Sequence, residues 1–352
     1  MNYCARAPGK IILSGEHSVV YGAPAIVAAL SCYTTVRFTP LHRTKGIRTL
    51  FKGLPRGPIY PLHALHHFKN KLDERFEQFS RGERPVQHIL NRPDDLVMYT
   101  LASLFQHLPL PGRTSTHHLP MPGRLSSESD LPLGAGMGSS AAAIAATLVL
   151  YEHLLERPMS AHERFERVRF CERLQHGKGS AIDAAAVTYG GVQILNEGEA
   201  QPLDTSLEDN GYWYWLLQGY PEVSTGECVV HVRAQHGQDS ALWQAFTTCS
   251  EALREALLTH KNPDEALKEN ARLLAHIGVV PERAQQLIAQ VEANGGSAKI
   301  SGAGAHRGES GGIILIHHHD SEAIPKLLNG LPYQWGPLHV STQGAALCSI
   351  KE

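Results

Sequence analysis

The chain has 352 residues, 42% of them hydrophobic and 19% charged, enough for a sizeable core in about two domains or one two-layered unit, and too apolar for a disordered or fibrous protein. Thirty-two basic side chains against 34 acidic ones leave a formal charge of −2. No global field therefore gathers nucleic acid or an anionic membrane, and any anionic ligand must be held by a local site.

Taken in chain order, the first apolar run is Ile11 to Leu13, a short strand after a Pro8-Gly9 turn. Glu16 and His17 follow it so closely that a signal peptide is not expected. Residues 43–93 read as a surface excursion with a helix around Phe68 to Phe79. Helices are expected at about Leu96 to Leu108 and Ser139 to Leu155, the second apolar on most faces and so buried on several sides. Its apolar core, Ala141 to Tyr151, is shorter than the ~20 residues that cross a bilayer.

Ser160 and Glu163 have capping-box spacing and open a charged helix through Leu174, which puts Glu172 near its C-terminal end. Gly, Pro, Asn and Asp clusters between 191 and 226 surround an aromatic strand, Tyr212 to Gln218, and place a lobe boundary near Leu195 to Asp209. Helices follow at Ser240 to Thr259, Pro263 to Ile277 and Pro281 to Ala293, then β-runs at Ala298 to Ser301 and Gly312 to Ile316, and a final pair at Leu338 to Ser341 and Ala346 to Ile350. The pattern predicts an α+β protein in two lobes, 1–195 and 210–352. Cys4, Cys32, Cys171, Cys228, Cys249 and Cys348 form no CxxC pair and no zinc spacing, and read as reduced thiols of a cytoplasmic protein.

Three stretches carry chemistry. In Gly134-Ala135-Gly136-Met137-Gly138-Ser139-Ser140, alternating glycines let the backbone approach a ligand and turn N–H groups toward it at a helix start, which suits phosphate. The two serines can cap that helix, and a hydroxyl there can ligate a metal that accompanies a nucleotide. The absence of Gly-Lys-Ser/Thr excludes a Walker A loop. Nearer the N-terminus, Lys10 stands beside a Pro-Gly turn, and Glu16 with His17 offers hydrogen-bond partners to a polyol or carboxylate. Finally, Glu172 and Asp183 lie 11 residues apart across a glycine-rich turn; one could hold a metal while the other orients a hydroxyl, or both could be surface acids.

Together and in this order, the three stretches resemble the GHMP kinases, whose middle motif is Pro-x-x-x-Gly-Leu-Gly-Ser-Ser-Ala. Ala7 to Gly22 and His176 to Gly191 are most similar to the members that act on mevalonate, with departures at Gly179 and Ala181, where Pro and Gly are usual. The resemblance implies a two-lobed fold, with an N-terminal ribosomal-protein-S5-like lobe and a C-terminal ferredoxin-like lobe. It further implies transfer of phosphate from ATP, with Mg2+, to the primary hydroxyl of mevalonate in isoprenoid precursor synthesis. Carried over by position, Asp183 is the catalytic carboxylate and Lys10 the lysine that lowers the pKa of the reacting hydroxyl. Ser140 and Glu172 are the metal ligands; Lys10, Ser129 and Gly134 to Ser140, Met137 included, line ATP; Glu16, His17 and Asp183 face the alcohol. A homodimer is implied, with neither nucleic acid nor membrane as partner. The alternatives are a GHMP kinase for another small alcohol, such as phosphomevalonate or a sugar, and a non-catalytic binding protein of this fold.

The third motif departs more strongly. Lys299 to Gly304 is followed by a longer charged loop in which Arg307 reaches a phosphate or projects into solvent. His317-His318-His319-Asp320 reads as a solvated strand exit, and Tyr212, Trp213 and Trp215 as packing between the lobes.

Overall fold

The computed structural model describes residues 2–41, 44–51, 57–107 and 121–348. Its first two strands, β1 (Tyr3–Ser14) and β2 (Ala25–Pro40), are antiparallel and set the architecture. Side chains of a strand alternate between faces, and both faces here are apolar. Ala5, Ala7, Ile12, Ala25, Val27 and Ala29 enter one core, while Ile11, Leu13, Ile26, Ala28 and Leu30 enter another. That explains why these strands read as continuous apolar runs rather than as alternating ones.

The excursion supplies β3 (Gly46–Phe51), β4 (Ile59–Pro61) and helix α1 (Leu65–Ser80), followed by α2 (Asp95–His107); Leu108, the expected end of that helix, lies outside the described residues. Next come β5 (Gly123–Ser129), α3 (Ser139–Leu154), α4 (Ala161–His176), α5 (Ala181–Tyr189), β6 (Val192–Asn196) and β7 (Glu199–Pro202). In the first sheet β2 pairs with β1 on one edge and with β5 and β6 on the other, and β3 runs parallel to β5. Helix α3 is buried along most of its length among α2, α4, α5 and this sheet, as its all-round apolarity requires.

The rest of the chain gives β8 (Tyr212–Gly219), α6 (Thr225–His236), α7 (Ser240–Leu258), α8 (Asp264–His276), α9 (Glu282–Ala293), β9 (Ser297–Ser301), β10 (Gly312–His318), α10 (Ala323–Leu328) and β11 (Gln334–Pro337). Its antiparallel sheet has the order β11-β8-β10-β9. Trp213, Trp215, Leu217, Ile313 and Leu315 of this sheet share a core with the outer faces of β1 and β2. Tyr212, by contrast, is exposed, because it lies at the strand's start on the side away from that core. Helix α6 was not expected from composition, although Ser224 and Glu227 form a capping box at its start.

Two further expectations are corrected. Among the described residues, the segments at 338–341 and 346–348 do not pair with each other. Val340 bridges to Leu30, and β12 (Ala346–Leu347) pairs with β1, so the chain returns to the first sheet; Ile350 lies outside the described residues. This register sets Cys348 opposite Cys4, and the two form a disulfide with Cα atoms 5.4 Å apart. The other four cysteines are free. Reduced thiols throughout, the ground for expecting a cytoplasmic protein, are therefore not what the fold contains. Among the described residues no helix is long and apolar enough to cross a membrane.

Candidate active site

The loop between β5 and α3 is built by alternation. Leu131, Ala135 and Met137 are buried and anchor it, whereas Gly134 and Gly136 face outward. Gly134, Gly136 and Gly138 have φ of 81°, 83° and 76°, a left-handed conformation that residues with a side chain adopt only at a cost. Gly138 is also the N-cap of α3. A Cβ there would come within 2.8 Å of Lys10 Cγ, so glycine lets the lysine stem lie against the loop. Lys10 N–H donates to the Met137 carbonyl at 2.9 Å, tying β1 to the loop.

Neither serine caps the helix, contrary to expectation. Gly138, the N-cap, gives no side chain to the backbone N–H groups of the first turn of α3, and no acid lies in that turn, which leaves donor groups and the positive end of the helix dipole for an anion. Ser129 sits at the loop's entrance, with its hydroxyl 2.9 Å from that of Thr34 and accepting from Leu131 N–H at 3.3 Å.

Helices α4 and α5 bring the two carboxylates together. Ser160 and Glu163 form the capping box, α4 ends at Gly177 with φ 78°, and α5 begins at Ser180, whose hydroxyl accepts from Asp183 N–H at 3.1 Å. Glycine at 179 is a packing requirement: a Cβ would lie 2.0 Å from the Arg169 carbonyl oxygen. The departure at this position from the related motif therefore draws the turn tightly against α4.

Glu172, fully buried on the last turn of α4, accepts from the Ser140 hydroxyl and from Ser180 N–H, each at 3.2 Å. Burial, and then the Asp183 charge, push its carboxyl above the usual carboxylate range. Asp183, in the first turn of α5, has Oδ1 2.9 Å from Lys10 Nζ. That contact is an ion pair by distance without the alignment of a hydrogen bond, a loose arrangement common before a ligand closes a site. His176 stands 3.9 Å from Glu172, and burial pushes its ring below the ordinary histidine value.

Glu16 and His17 occupy the turn after β1. His17 is one of the few non-glycine residues with positive φ, at 58°. Its Nε2 is 2.9 Å from the Ala303 carbonyl, and burial pushes its pKa down. Glu16 is paired with Lys299 at the centre of β9. Both partners, Ala303 and Lys299, stand in the third motif, but the sequence reading gave neither a role; the available signal was a lysine within the β-run Ala298 to Ser301. In the glycine-rich loop that follows, Arg307 is exposed and lies 3.4 Å from Glu227 at the start of α6. Its charge is directed to that carboxylate.

The family description "GHMP kinases N terminal domain" matches residues 96–191, the span that holds the glycine loop, Glu172 and Asp183. A mevalonate kinase of Pyrococcus furiosus is 27% identical over 318 residues, covering 86% of this chain and 87% of that protein. The crystal structure of the Methanococcus jannaschii mevalonate kinase superposes with a TM-score of 0.76 at 18% identity, over 96% of this chain and 98% of that one. A Lactococcus lactis galactokinase, solved with galactose, superposes at 0.72 with 14% identity, over 98% of this chain and 95% of that one.

The fold is that of the GHMP kinases.

Within the GHMP kinase fold the chain thus has its closely packed lysine, glycine loop and two carboxylates in one place, joined by contacts between elements far apart in sequence. The shared fold of mevalonate kinase and galactokinase leaves the choice of alcohol to the residues at the site.

For a metal the donor set is suitable but incomplete. A hydroxyl and a carboxylate in contact, with a second carboxylate nearby, are hard oxygen ligands of the kind Mg2+ takes. A buried carboxyl held above its normal pKa is also one that a cation would stabilise as the anion. Among the described residues, no group of three or more His, Cys, Asp and Glu side chains could hold a metal alone. The remaining ligands would have to come from phosphate and water, as is usual for magnesium bound with a nucleotide.

Proposed function

We propose that this protein is an ATP-dependent kinase that phosphorylates the primary hydroxyl of mevalonate. The observation that carries the reading is the Lys10–Asp183 ion pair at 2.9 Å, beside the Ser140–Glu172 contact and the uncapped start of α3. Phosphoryl transfer needs little covalent chemistry from the protein and much positioning and charge stabilisation. The backbone N–H groups of Gly134 to Ser140 would cradle the ATP phosphates. Asp183 would orient the attacking hydroxyl and take its proton, and Lys10 would stabilise the oxygen as its charge develops. Ser140 and Glu172 would hold Mg2+, which when bound with the nucleotide supplies charge neutralisation on the phosphate oxygens.

The similarity to mevalonate kinases over most of both chains supports the choice of substrate, as does the acidic and neutral turn at Glu16 and His17, which offers nothing to bind a second phosphate. Measuring ADP release with mevalonate, phosphomevalonate, galactose and homoserine tests the proposal. Turnover with mevalonate well above the other three is expected. Preference for another alcohol, or no ADP with any of them, would refute it.

A further inference from the structure

The segment 338–348 is laid as a strap across the elements that carry Lys10 and Asp183. Ser341 N–H donates to the Ala29 carbonyl of β2 at 2.9 Å, and the Ser341 carbonyl accepts from Gly191 N–H, just past the end of α5, at 2.7 Å. Ala345 N–H then donates to the Val187 carbonyl of α5 at 2.8 Å. Immediately afterwards β12 pairs with β1, Ala346 opposite Arg6 and Leu347 opposite Ala5, and Cys348 N–H donates to the Cys4 carbonyl at 2.9 Å beside the disulfide.

Glycine admits the strap at its closest approaches to α5. A Cβ on Gly344 would lie 2.0 Å from the Thr188 carbonyl oxygen, and one on Gly190 would lie 2.4 Å from the Gln343 carbonyl carbon. Both are approaches to backbone, so no flexible side chain could yield to them.

The strap bears on catalysis through the helix it grips. Four of the nine residues of α5 are alanine, which leaves few large side chains to interlock with neighbouring elements. The ends of the helix are held instead, by the Ser180 cap at one and by the strap on Val187 at the other. Asp183 lies one turn before Val187, and Lys10 lies four residues beyond Arg6 on β1. Any movement of α5 along β1 therefore changes the Lys10–Asp183 separation of 2.9 Å, and a misplacement of about 1 Å among reacting groups can slow a reaction about 100-fold.

The strap is fastened chiefly by the disulfide. With two residues, β12 is shorter than the strands that usually hold by their own pairing. Cys4 and Cys348 are only half-buried, which leaves the bond open to a small thiol.

We propose that the strap positions Asp183 against Lys10 and that the Cys4–Cys348 disulfide is its redox-sensitive catch, so that phosphoryl transfer follows the thiol–disulfide balance around the protein. A dithiol attacks one sulfur to form a mixed disulfide, then closes to its own cyclic disulfide and leaves Cys4 and Cys348 as two thiols. Two electrons and two protons pass to the protein, and a small-molecule disulfide reverses the exchange. The inference rests on the reading of the protein as a kinase that uses Asp183 and Lys10.

The test measures ADP release with mevalonate for the oxidised wild type, the dithiothreitol-reduced wild type, Cys348→Ser and Gly344→Ala. The temperature is one at which circular dichroism shows every form folded, and free thiols are counted in each. Reduction should expose two further thiols, lower kcat about tenfold or more and leave KM for ATP near its oxidised value, and glutathione disulfide should restore kcat. Cys348→Ser should match the reduced wild type and not respond to reductant. Gly344→Ala, which forces the strap from α5 and keeps both cysteines, should lower kcat comparably while oxidised and change little further on reduction. Unchanged kcat in the reduced wild type or in Gly344→Ala would overturn the proposal, as would an oxidised wild type whose thiol count shows no disulfide. An oxidised wild type that holds the disulfide yet releases no ADP with mevalonate, phosphomevalonate, galactose or homoserine would instead overturn the underlying reading.

Discussion

A histidine following a run of Ile and Leu, with two more histidines and an aspartate after it, reads as a strand leaving into water. His317 is instead fully buried, with Nδ1 2.6 Å from Asp264 Oδ1 and Nε2 2.8 Å from the Asn210 carbonyl. His318 is buried too, and only His319 faces solvent. The sequence could not show this, because the acceptors come from a helix start and a turn about 50 and 100 residues away. Asp264 also accepts from the Ser297 hydroxyl at 2.7 Å. Burial pushes the Asp264 carboxyl up, but His317 and Ser297 together outweigh it and hold the group well below the usual carboxylate range. The folded state therefore binds this proton more weakly than the unfolded chain. Its stabilisation is fully present above the unfolded pKa of about 3.9 and is lost as pH falls below it. Asp264→Asn should cost about 1–2 kcal/mol at neutral pH, and urea melts at successively lower pH should show that difference shrinking steadily below about pH 4. A difference independent of pH would mean that packing, rather than the charge, is what the aspartate contributes.

At the scale of elements, legibility followed the range of the signal. The helices at 161–176, 240–258 and 282–293 could be read because local signals mark each: a capping box and Gly177 for the first, the Asp239 cap and apolar spacing for the second, and Pro281 with Asn294-Gly295-Gly296 for the third. The 11-residue interval between Glu172 and Asp183 became intelligible only as geometry: one carboxylate on the last turn of a helix and the other on the first turn of the next, with Gly179 drawing the two close. The return of the C-terminal segment was not legible. Strand β12 has two residues, and its partner on β1 lies some 340 positions away. The disulfide that fastens it closes a loop of 344 residues, so its loss should destabilise the protein by about 2–5 kcal/mol. Cys348→Ser should lower the melting temperature and abolish the effect of added dithiothreitol. A wild-type protein whose melting is unaffected by reductant would contradict this.

Over the whole molecule, the two sheets share a core across β1 and β2, and the candidate site draws residues from both. The first supplies Lys10, the glycine loop and, through α4 and α5, Glu172 and Asp183; the second supplies Lys299 and Ala303. Motif resemblance made the first group visible in the sequence, since each residue stands in a short distinctive stretch. The second group stands in the third motif, but its contacts with Glu16 and His17 depend on the packing of one lobe on the other, which no local pattern encodes. The central claim is that the protein transfers phosphate to an alcohol through Asp183 and Lys10. Its most direct test is a single-turnover experiment with γ-labelled ATP and mevalonate, run on the wild type and Asp183→Asn with nucleotide binding measured in parallel. Label should appear on the primary hydroxyl in the wild type, and about 100-fold or more slowly in the variant, with ATP still bound. Equal rates in the two proteins, or label released only as inorganic phosphate, would contradict the account.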